Sequence, residues 1–326
     1  MIVTQTPLRI SFLGGGTDYP EYFRRHGGLV LGTAIDCYSN FIVSRLNSDL
    51  LDYRIRIVHS QAECVDRLDD ITHGPARECL RRCNVDRDIQ VIHSADLPAF
   101  TGLGSSSSYV VGLLRSLHAF RNQTIAPLNL AYQAIDIERN SLGESVGCQD
   151  QTFAAVGGFN LIEFKDLDDF AVHSVPLSTA RRQEIEKHLL LFYSGIRRRS
   201  EHFAARQVMN VLLNQDKLGE MKRLAEEGFK LLSGSGSLSG FGELLDRAWL
   251  LKRNLADGIS NDHIDQIYKT AMDAGAFGGK LLGAGGGGFI LLLVPPERRA
   301  AVKASLSHLI EVDFSLDAPG SRVIHP

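Results

Sequence analysis

The chain has 326 residues, of which 44% are apolar and 22% are charged, and its formal net charge at pH 7 is −3. This is the composition of an ordinary globular protein with one large domain or two smaller ones, whose core needs neither disulfides nor a structural metal. The small negative charge gives no electrostatic reason to expect nucleic acid or an acidic membrane surface as a partner.

The first half of the chain predicts strands that follow one another closely. The six strand-like segments are 8–12, 28–35, 41–44, 53–58, 89–93 and 159–164. Because parallel crossovers need longer connections, this succession favours antiparallel or mixed pairing. After Ser105 the apolar residues recur with the spacing of an α-helix, which predicts a helix with serine at its start. The pattern at 128–140 predicts a second helix.

The second half is rich in predicted helices. A strand at 189–193 precedes helical segments at 200–214, 217–232, 242–255 and 264–274. The segment from Ser233 to Ser237 alternates serine with glycine and predicts a flexible connecting loop. The polar stretch 166–178 is the candidate boundary between halves. We therefore expect an α+β fold with domains at 1–172 and 173–326.

The five cysteines form no framework. Cys79 and Cys83 lie four residues apart, but no second pair completes a zinc site, so we expect reduced thiols. The N-terminus has no basic region followed by an apolar one, and the longest apolar run, 289–294, is too short to span a bilayer. We therefore expect a cytoplasmic protein with no membrane partner.

Three glycine-rich segments give the first indication of function. They are Gly14–Gly16, Gly102–Ser108 and Gly283–Gly288. Glycine loses more conformational freedom on folding than other residues, so runs of glycine are expected where backbone must approach something closely. Three such segments, far apart in sequence, predict one shared site for a ligand rich in phosphate.

The second of these segments runs directly into the predicted helix. The amides of a first helical turn carry partial positive charge, so a glycine–serine loop at this point predicts an anion cradle, with hydroxyls for a phosphate oxygen or Mg²⁺. The alternative is a flexible loop capped by serine. The Walker spacing is absent because no lysine follows the glycines, and the protein-kinase tripeptides H-R-D and D-F-G do not occur.

The third segment satisfies the dinucleotide pattern G-x-G-x-x-G at Gly283–Gly288. That fingerprint needs a strand before the glycines and a helix after them, whereas a strand-like apolar run follows here. A dinucleotide oxidoreductase is thus an alternative that depends on the glycines alone.

The acids and bases are ambiguous when taken one at a time. Asp150 lies in a predicted loop among small and apolar neighbours, which suits a partly buried carboxylate. A buried acid needs a cation or hydrogen-bond donors to stay ionised, and Arg9 in the first strand is a candidate. Taken alone, Asp150 also fits a turn or capping residue, and Glu138 fits a solvated charge on a helix.

Together the pieces resemble the GHMP kinase superfamily over essentially the full chain. The first motif spans 6–19, the second 98–108 and the third 275–288, with Gly147–Gln151 between the second and third. The resemblance implies two lobes, an N-terminal ribosomal-S5-like lobe that binds ATP and a C-terminal ferredoxin-like lobe. It implies ATP and Mg²⁺ as cofactors and a small-molecule sugar phosphate as substrate, and a homodimer is compatible with it.

Within the superfamily, the first and third motifs resemble the branch that phosphorylates heptose, and Gly14–Gly16 replaces the Gly-Glu-His of galactokinases. This implies transfer of the γ-phosphoryl group to the anomeric hydroxyl of a heptose 7-phosphate, giving heptose 1,7-bisphosphate. The alternatives are a kinase for another sugar, such as fucose or a related hexose, and a nucleotide-binding regulatory protein without catalysis. The joint presence of Arg9, Asp150, Ser106 and Glu138 argues against a dead enzyme.

The resemblance also implies roles for individual residues. Asp150 is the expected base and Arg9 the catalytic cation, while Ser106 and Glu138 are expected to hold Mg²⁺. The residues expected to bind the nucleotide are Gly102, Leu103, Gly104, Ser105, Ser106, Ser107, Ser108, Gly285 and Gly286. Those expected to contact the sugar substrate are Gly16, Thr17, Asp18 and, for a distal phosphate, Arg197. Arg24 and Arg25 compete with Arg197 for that role, and a solvated helix start is the other interpretation of the Arg197–Arg199 run.

Overall fold

In the part of the chain that the structure describes, the larger of two β-sheets has eight strands. The computed structural model describes residues 1–197, 209–234 and 236–326. The strands of this sheet are β1 (Ile2–Leu13), β2 (Gly28–Arg45), β3 (Ile55–Val58), β4 (Ala62–Val65), β5 (Ile89–Ala95), β6 (Phe159–Asp166), β7 (Asp169–Ser174) and β12 (Arg322–His325). Their order is β12-β1-β2-β5-β3-β4, with β6 paired to β2 and β7 to β6. β3 and β5 are parallel and the other pairs are antiparallel, which agrees with the predicted mixed pairing.

β2 joins two segments that the sequence predicts as separate strands. Gly28–Thr33 pairs with β6, and Ser39–Arg45 pairs with β5. The register of β1 on β2 shifts between Pro7 and Leu8, close to the point where β2 exchanges one neighbour for the other. The predicted strand at 53–58 is shorter in the structure, because β3 begins at Ile55.

The smaller sheet has four antiparallel strands and forms the ferredoxin-like lobe. They are β8 (Leu189–Tyr193), β9 (Gly278–Leu281), β10 (Phe289–Leu293) and β11 (Ile310–Glu311), in the order β11-β8-β10-β9. One hydrophobic core spans both lobes, since Phe12 of β1, Phe241 and Leu291 of β10 belong to the same buried cluster. The two sheets are therefore held together by a continuous apolar interior.

The α-helices formed by the described residues cover the sheets and place the functional segments. They are α1 (Pro20–His26), α2 (Gly74–Arg82), α3 (Ser105–Phe120), α4 (Pro127–Asp136), α5 (Gln149–Val156), α6 (Thr179–His188), α7 (Gln215–Ser233), α8 (Leu238–Lys252), α9 (Asp262–Asp273) and α10 (Arg299–Ser305). α3 begins at the predicted serine, and α7, α8 and α9 correspond to three predicted helices. α4 is followed by a π-helical turn, Ile137–Ser141, which carries Glu138. In the described ranges no helix has the length and apolarity needed to cross a bilayer.

Some predictions fall at or beyond the limits of what is described. Most of the predicted helix at 200–214 lies outside the described residues, as does Ser235 of the predicted loop. The boundary predicted between residues 172 and 173 falls inside β7, two residues before its end. The division at this point stays a prediction.

Candidate active site

A cavity of about 980 Å³ lies between the two lobes. All three glycine segments line it, through Gly15 and Gly16, through Gly102 and Gly104, and through Gly283, Gly285 and Gly287. The structure thus brings together three stretches that are far apart in sequence, as the shared-site hypothesis requires.

The second and third segments touch through their backbones. A Cβ built on Gly102 would lie 2.5 Å from the carbonyl oxygen of Leu282, and one built on Gly283 would lie 2.5 Å from the Cα of Gly102. The amide of Phe289 donates to the carbonyl of Thr101 at 3.0 Å. Both glycines also have a positive φ, so no other residue fits this contact without displacing one lobe.

Arg9 and Asp150 form a bidentate ion pair at the edge of this contact. Nε of Arg9 donates to Oδ1 of Asp150 at 2.7 Å and Nη2 donates to Oδ2 at 2.8 Å. Nη1 donates to the carbonyl of Gly102 at 2.7 Å. The Arg9 side chain is 5% exposed and that of Asp150 is 26% exposed, so both line the cavity and the carboxylate is the more accessible of the two. Such paired N–H···O bonds fix geometry as well as charge.

Asp150 is placed by the first turn of α5, and the prediction that it lies in a loop is wrong. Gly104, the residue before α3, has a φ of 76°, and a Cβ there would lie 3.3 Å from both Cγ of Arg9 and Oδ2 of Asp150. The glycine therefore lets the start of α3 approach the ion pair.

Asp18 lies on the same wall and is almost fully buried. The amide of Gly16 donates to its Oδ1 at 2.9 Å and the amide of Gln149 donates to its Oδ2 at 3.3 Å. Burial raises the pKa of Asp18 and the charge of Asp150 adds to this, while the Gly16 amide acts in the opposite direction. A Cβ on Gly147 would lie 2.0 Å from Oδ2 of Asp18, so that position also needs glycine.

Two family models match the chain. The model of the GHMP kinases N terminal domain matches residues 71–158, and the model described as GHMP kinases C terminal matches residues 221–310. Together they cover just over half of the chain. The chain belongs to the GHMP kinases.

Individual relatives agree with this assignment. A D-glycero-alpha-D-manno-heptose 7-phosphate kinase from Campylobacter jejuni is 27% identical over 296 residues, which are 87% of this chain and 86% of the relative. A galactokinase from Pyrococcus furiosus is 24% identical over 321 residues, with 87% and 86% covered. The crystal structure of a D-glycero-D-manno-heptose 1-phosphate kinase from Bacteroides thetaiotaomicron superposes with a TM-score of 0.81 at 24% identity, covering 100% of this chain and 99% of the other.

The predicted α+β architecture of the family is confirmed. The predicted class of activity, an ATP-dependent sugar phosphotransferase, is confirmed as well.

Several predicted contacts of this GHMP kinase do not line the cavity. Thr17 is fully buried, where its hydroxyl donates to the carbonyls of Gly14 and Leu29 and accepts the amide of Leu29 at 3.0 Å. Its side chain therefore supports the first glycine turn, and the expectation that it contacts the sugar is corrected. Gly16 and Asp18 do line the cavity, and so does the exposed Arg197. Arg198 and Arg199 lie outside the described residues.

The nucleotide loop needs a similar correction. Leu103 is buried and its carbonyl accepts the backbone amide of Arg9 at 3.1 Å, while the hydroxyl of Ser108 donates to the carbonyl of Thr6 at 3.3 Å. The amide of Gly286 donates to the carbonyl of Ile259 at 2.9 Å. These three residues support the cavity wall through contacts with other backbone segments and do not line the cavity themselves. The predicted residues that line the cavity are Gly102, Gly104, Ser105, Ser106, Ser107 and Gly285.

Glu138 contacts Ser107 and not the predicted Ser106, which is exposed. Oγ of Ser107 lies 3.0 Å from each carboxylate oxygen, and Nε2 of Gln151 donates to Oε2. Glu138 is fully buried, and burial raises its pKa to about 8 although both hydrogen bonds act in the opposite direction. Adjacent residues of a helix point about 100° apart, so only one of the two serines can face the carboxylate.

This group of oxygens fits Mg²⁺. Across the described residues no Lys, Arg or His lies within 4 Å of the Glu138 carboxylate, and Oε1 of Gln151 is buried without a hydrogen-bond partner. Carboxylate, hydroxyl and amide oxygens are the hard ligands that Mg²⁺ takes, usually with few protein groups and with oxygens of water and substrate phosphate.

A second region of the cavity, which we call the ring end, is lined by rings that the sequence analysis missed. His59 and His73 have ring centroids 4.4 Å apart, and Tyr109 lies 4.9 Å from His73 and 4.7 Å from His93. Burial lowers the pKa values of His73 and His93 to about 4. The four rings come from four different elements: His59 from the β3–β4 turn, His73 from the residue before α2, His93 from β5 and Tyr109 from α3. No local sequence motif therefore predicts them as a group.

Two buried lysines also escaped the sequence analysis, although both line the cavity. Lys280 lies within the third motif, where the glycines dominate the pattern. Lys252 is the last residue of α8, and a basic residue is common at that end of a helix because it complements the dipole.

Proposed function

We propose that this GHMP kinase transfers the γ-phosphoryl group of ATP to the anomeric hydroxyl of a heptose 7-phosphate, giving heptose 1,7-bisphosphate and ADP in the presence of Mg²⁺. The observation that carries the proposal is the Arg9–Asp150 pair, which faces the cavity where the glycine segments of both lobes touch. The choice of heptose is supported by the motif at Gly14–Gly16 and by similarity to a heptose 7-phosphate kinase.

The cavity supplies what phosphoryl transfer requires. The transition state is loose, so catalysis depends mainly on positioning and on stabilisation of charge. α3 is 16 residues long and directs the amides of its first turn toward the cavity, beside the exposed Ser106. Glu138, Ser107 and Gln151 would hold Mg²⁺, which when bound neutralises charge on the phosphates.

Asp150 is the proposed base. Its carboxylate is reached from the cavity and is held by two donors of one guanidinium, so its position relative to the glycine loops is fixed. An anomeric hydroxyl is more acidic than the other hydroxyls of a sugar, so a carboxylate within hydrogen-bond distance suffices to accept its proton. Arg9 lies beside the same point and would stabilise charge on the attacking oxygen and the transferring group.

The ring-lined end of the cavity suits the uncharged, flat base of ATP. Aromatic faces bind nucleobases by stacking, and the low pKa values of His73 and His93 leave these rings neutral at pH 7. At the rim, Arg197 is a candidate for the distal phosphate of the substrate, because arginine presents a fork of donors to phosphate.

Release of ADP over a panel of acceptors tests the proposal. The panel contains heptose 7-phosphate, the unphosphorylated heptose, galactose and fucose. We expect the highest kcat/KM with heptose 7-phosphate, and a product whose phosphorus NMR spectrum shows one anomeric and one primary phosphate. A higher kcat/KM with fucose or galactose would contradict the heptose assignment while leaving the kinase assignment intact.

A further inference from the structure

Lys252 and Lys280 are buried charges with an unusual set of partners. They are 7% and 2% exposed, and both line the cavity. Nζ of Lys252 donates to the carbonyls of Gly283 and, at 3.3 Å, Leu281, and Nζ of Lys280 donates to the carbonyl of Phe12 at 2.8 Å. Within the ranges that the structure describes, neither amine lies within 4 Å of a carboxylate oxygen. Buried charges normally have an ionic partner, because leaving one unpaired is costly.

Basic groups outnumber the carboxylates around these amines. Burial lowers the pKa of Lys252 to about 8, and Arg9 acts in the same direction while Asp18 and Asp150 oppose it. Burial also lowers the pKa of Lys280, and both Lys252 and Arg9 add to that effect. Three basic groups therefore face two carboxylates, of which Asp150 is already engaged by Arg9. An anion in the cavity would balance the remainder.

The position of Lys252 indicates which kind of anion. Its ammonium binds the carbonyl of Gly283, and Arg9 binds the carbonyl of Gly102. Because these two glycines touch, Lys252 and Arg9 are anchored on the two sides of one backbone contact. This contact joins the two loops that present bare backbone to the cavity. A tetrahedral oxyanion bound there meets two cations from different lobes.

We propose that Lys252 and Lys280 form a phosphate-binding site at the junction of the lobes. The inference deepens the proposed function and rests on it for the identity of the ligand. The phosphate is either the γ-phosphate of ATP or the phosphate carried by the acceptor, and both present the same oxygens to an ammonium group. Lys252 contacts the phosphate, and Lys280 is the second cation of the site.

The first experiment needs no turnover. The wild-type protein is treated with cyanate, which carbamylates uncharged amines, and the modification of each lysine is followed by peptide mass spectrometry. We expect inorganic tripolyphosphate to slow the modification of Lys252 and Lys280 at least tenfold, while Lys222 is unaffected. Lys222 is a matched control, since its amine donates to the backbone carbonyl of His26 outside the cavity. Equal rates with and without tripolyphosphate would overturn the proposal.

The second experiment compares Lys252→Met with Lys222→Met. We expect kcat/KM to fall about 10²-fold in Lys252→Met only, the size of effect that follows loss of one donor to a developing charge. A loss of kcat/KM with every acceptor, phosphorylated or not, identifies the γ-phosphate of ATP as the ligand. A raised KM confined to phosphorylated sugars identifies the acceptor phosphate. Wild-type kinetics in both variants would refute the site, even if heptose 7-phosphate is the substrate.

A third measurement uses the charge of Lys252 and distinguishes phosphate binding by this residue from a purely structural role. Tripolyphosphate affinity of the wild type should weaken as pH rises above about 8, because Lys252 then loses its proton. Lys252→Arg should keep its affinity at pH 9, since arginine stays charged. Identical pH profiles would count against the site. If no sugar is phosphorylated, the proposed function fails, while tripolyphosphate protection still decides whether the site exists.

Discussion

The two ends of the cavity bury ionisable groups in different ways. The phosphate end, around Arg9, Asp150 and the glycine loops, holds an ion pair, whereas the ring end holds histidines with lowered pKa values. At the phosphate end, Arg9 and Asp150 form a bidentate ion pair in a largely buried place. At the ring end, the imidazole rings of His73 and His93 form no ion pair with a carboxylate among the described residues, although the backbone amide of His73 donates to Oε1 of Glu63 at 3.1 Å. Burial lowers the pKa values of both histidines to about 4. The two ends therefore differ in whether a buried ionisable group has a well-oriented counter-charge. This difference fits the proposed phosphoryl transfer at one end and the proposed binding of an uncharged base at the other.

The strongest test of this comparison is Asp150→Asn. We expect kcat to fall about 10³-fold, within the range attributed to a positioned base, because the amide cannot accept the acceptor's proton. The KM for ATP should stay near the wild-type value, since the ring end is untouched. Steady-state ADP release measures both constants, with the exposed Asp168→Asn as control. An unchanged kcat would reject Asp150 as the base.

A substitution at the ring end should have the opposite kinetic signature. His73→Asn removes a ring, while asparagine can still accept the amide of Ala76 that now binds Nδ1 of His73 at 3.2 Å. We expect the KM for ATP to rise about tenfold, as for loss of one stacking partner, with kcat little changed. His325→Asn, at an exposed position on β12, is the control. A drop in kcat without a change in KM would contradict the division of the cavity.

A third expected effect is on the pH dependence of the free energy of unfolding. The pKa of His93 is 6.5 in the unfolded chain and about 4 when folded, so protonation favours unfolding. Its contribution to stability is fully present above pH 6.5 and is lost as the pH falls from there toward 4. His93→Gln cannot titrate, so wild type should lose up to about 1.4 kcal/mol more per pH unit than the variant.

Urea midpoints of wild type and His93→Gln between pH 7.5 and 4.5 measure this difference. Glutamine retains a polar partner for Ser39, whose hydroxyl lies 2.7 Å from Nε2 of His93. Parallel curves for the two proteins would show that His93 titrates normally in the folded state.

Much of the phosphate end was open to prediction because several of its groups lie in recognisable local sequence patterns. A periodic strand places Arg9, and an apolar helix period beginning at Ser105 places the glycine–serine loop at a helix start. Other features depend on tertiary contacts. The phase of α3 decides that Ser107 and not Ser106 meets Glu138, and the sequence does not reveal on which side that carboxylate lies.

The helix that carries Asp150 was missed for a physical reason. α5 has eight residues, no side-chain cap and buried residues on nearly every side, so it lacks the amphipathic period that would identify it. Lys252 and the histidines escaped because each is an ordinary residue in its own segment. Only packing of several elements around one cavity makes them a group.

The backbone contact between Gly102 and Gly283 has a consequence for how this protein tolerates change. A methyl group at either position would act as a wedge, because its carbon would lie about 2.5 Å from a backbone atom of the other loop. Since the partner of Arg9 and the partner of Lys252 are the carbonyls of these same residues, the wedge would spread both cations apart at once. Replacement of either glycine by alanine would then lower activity as much as removal of the charge of Arg9 or Lys252.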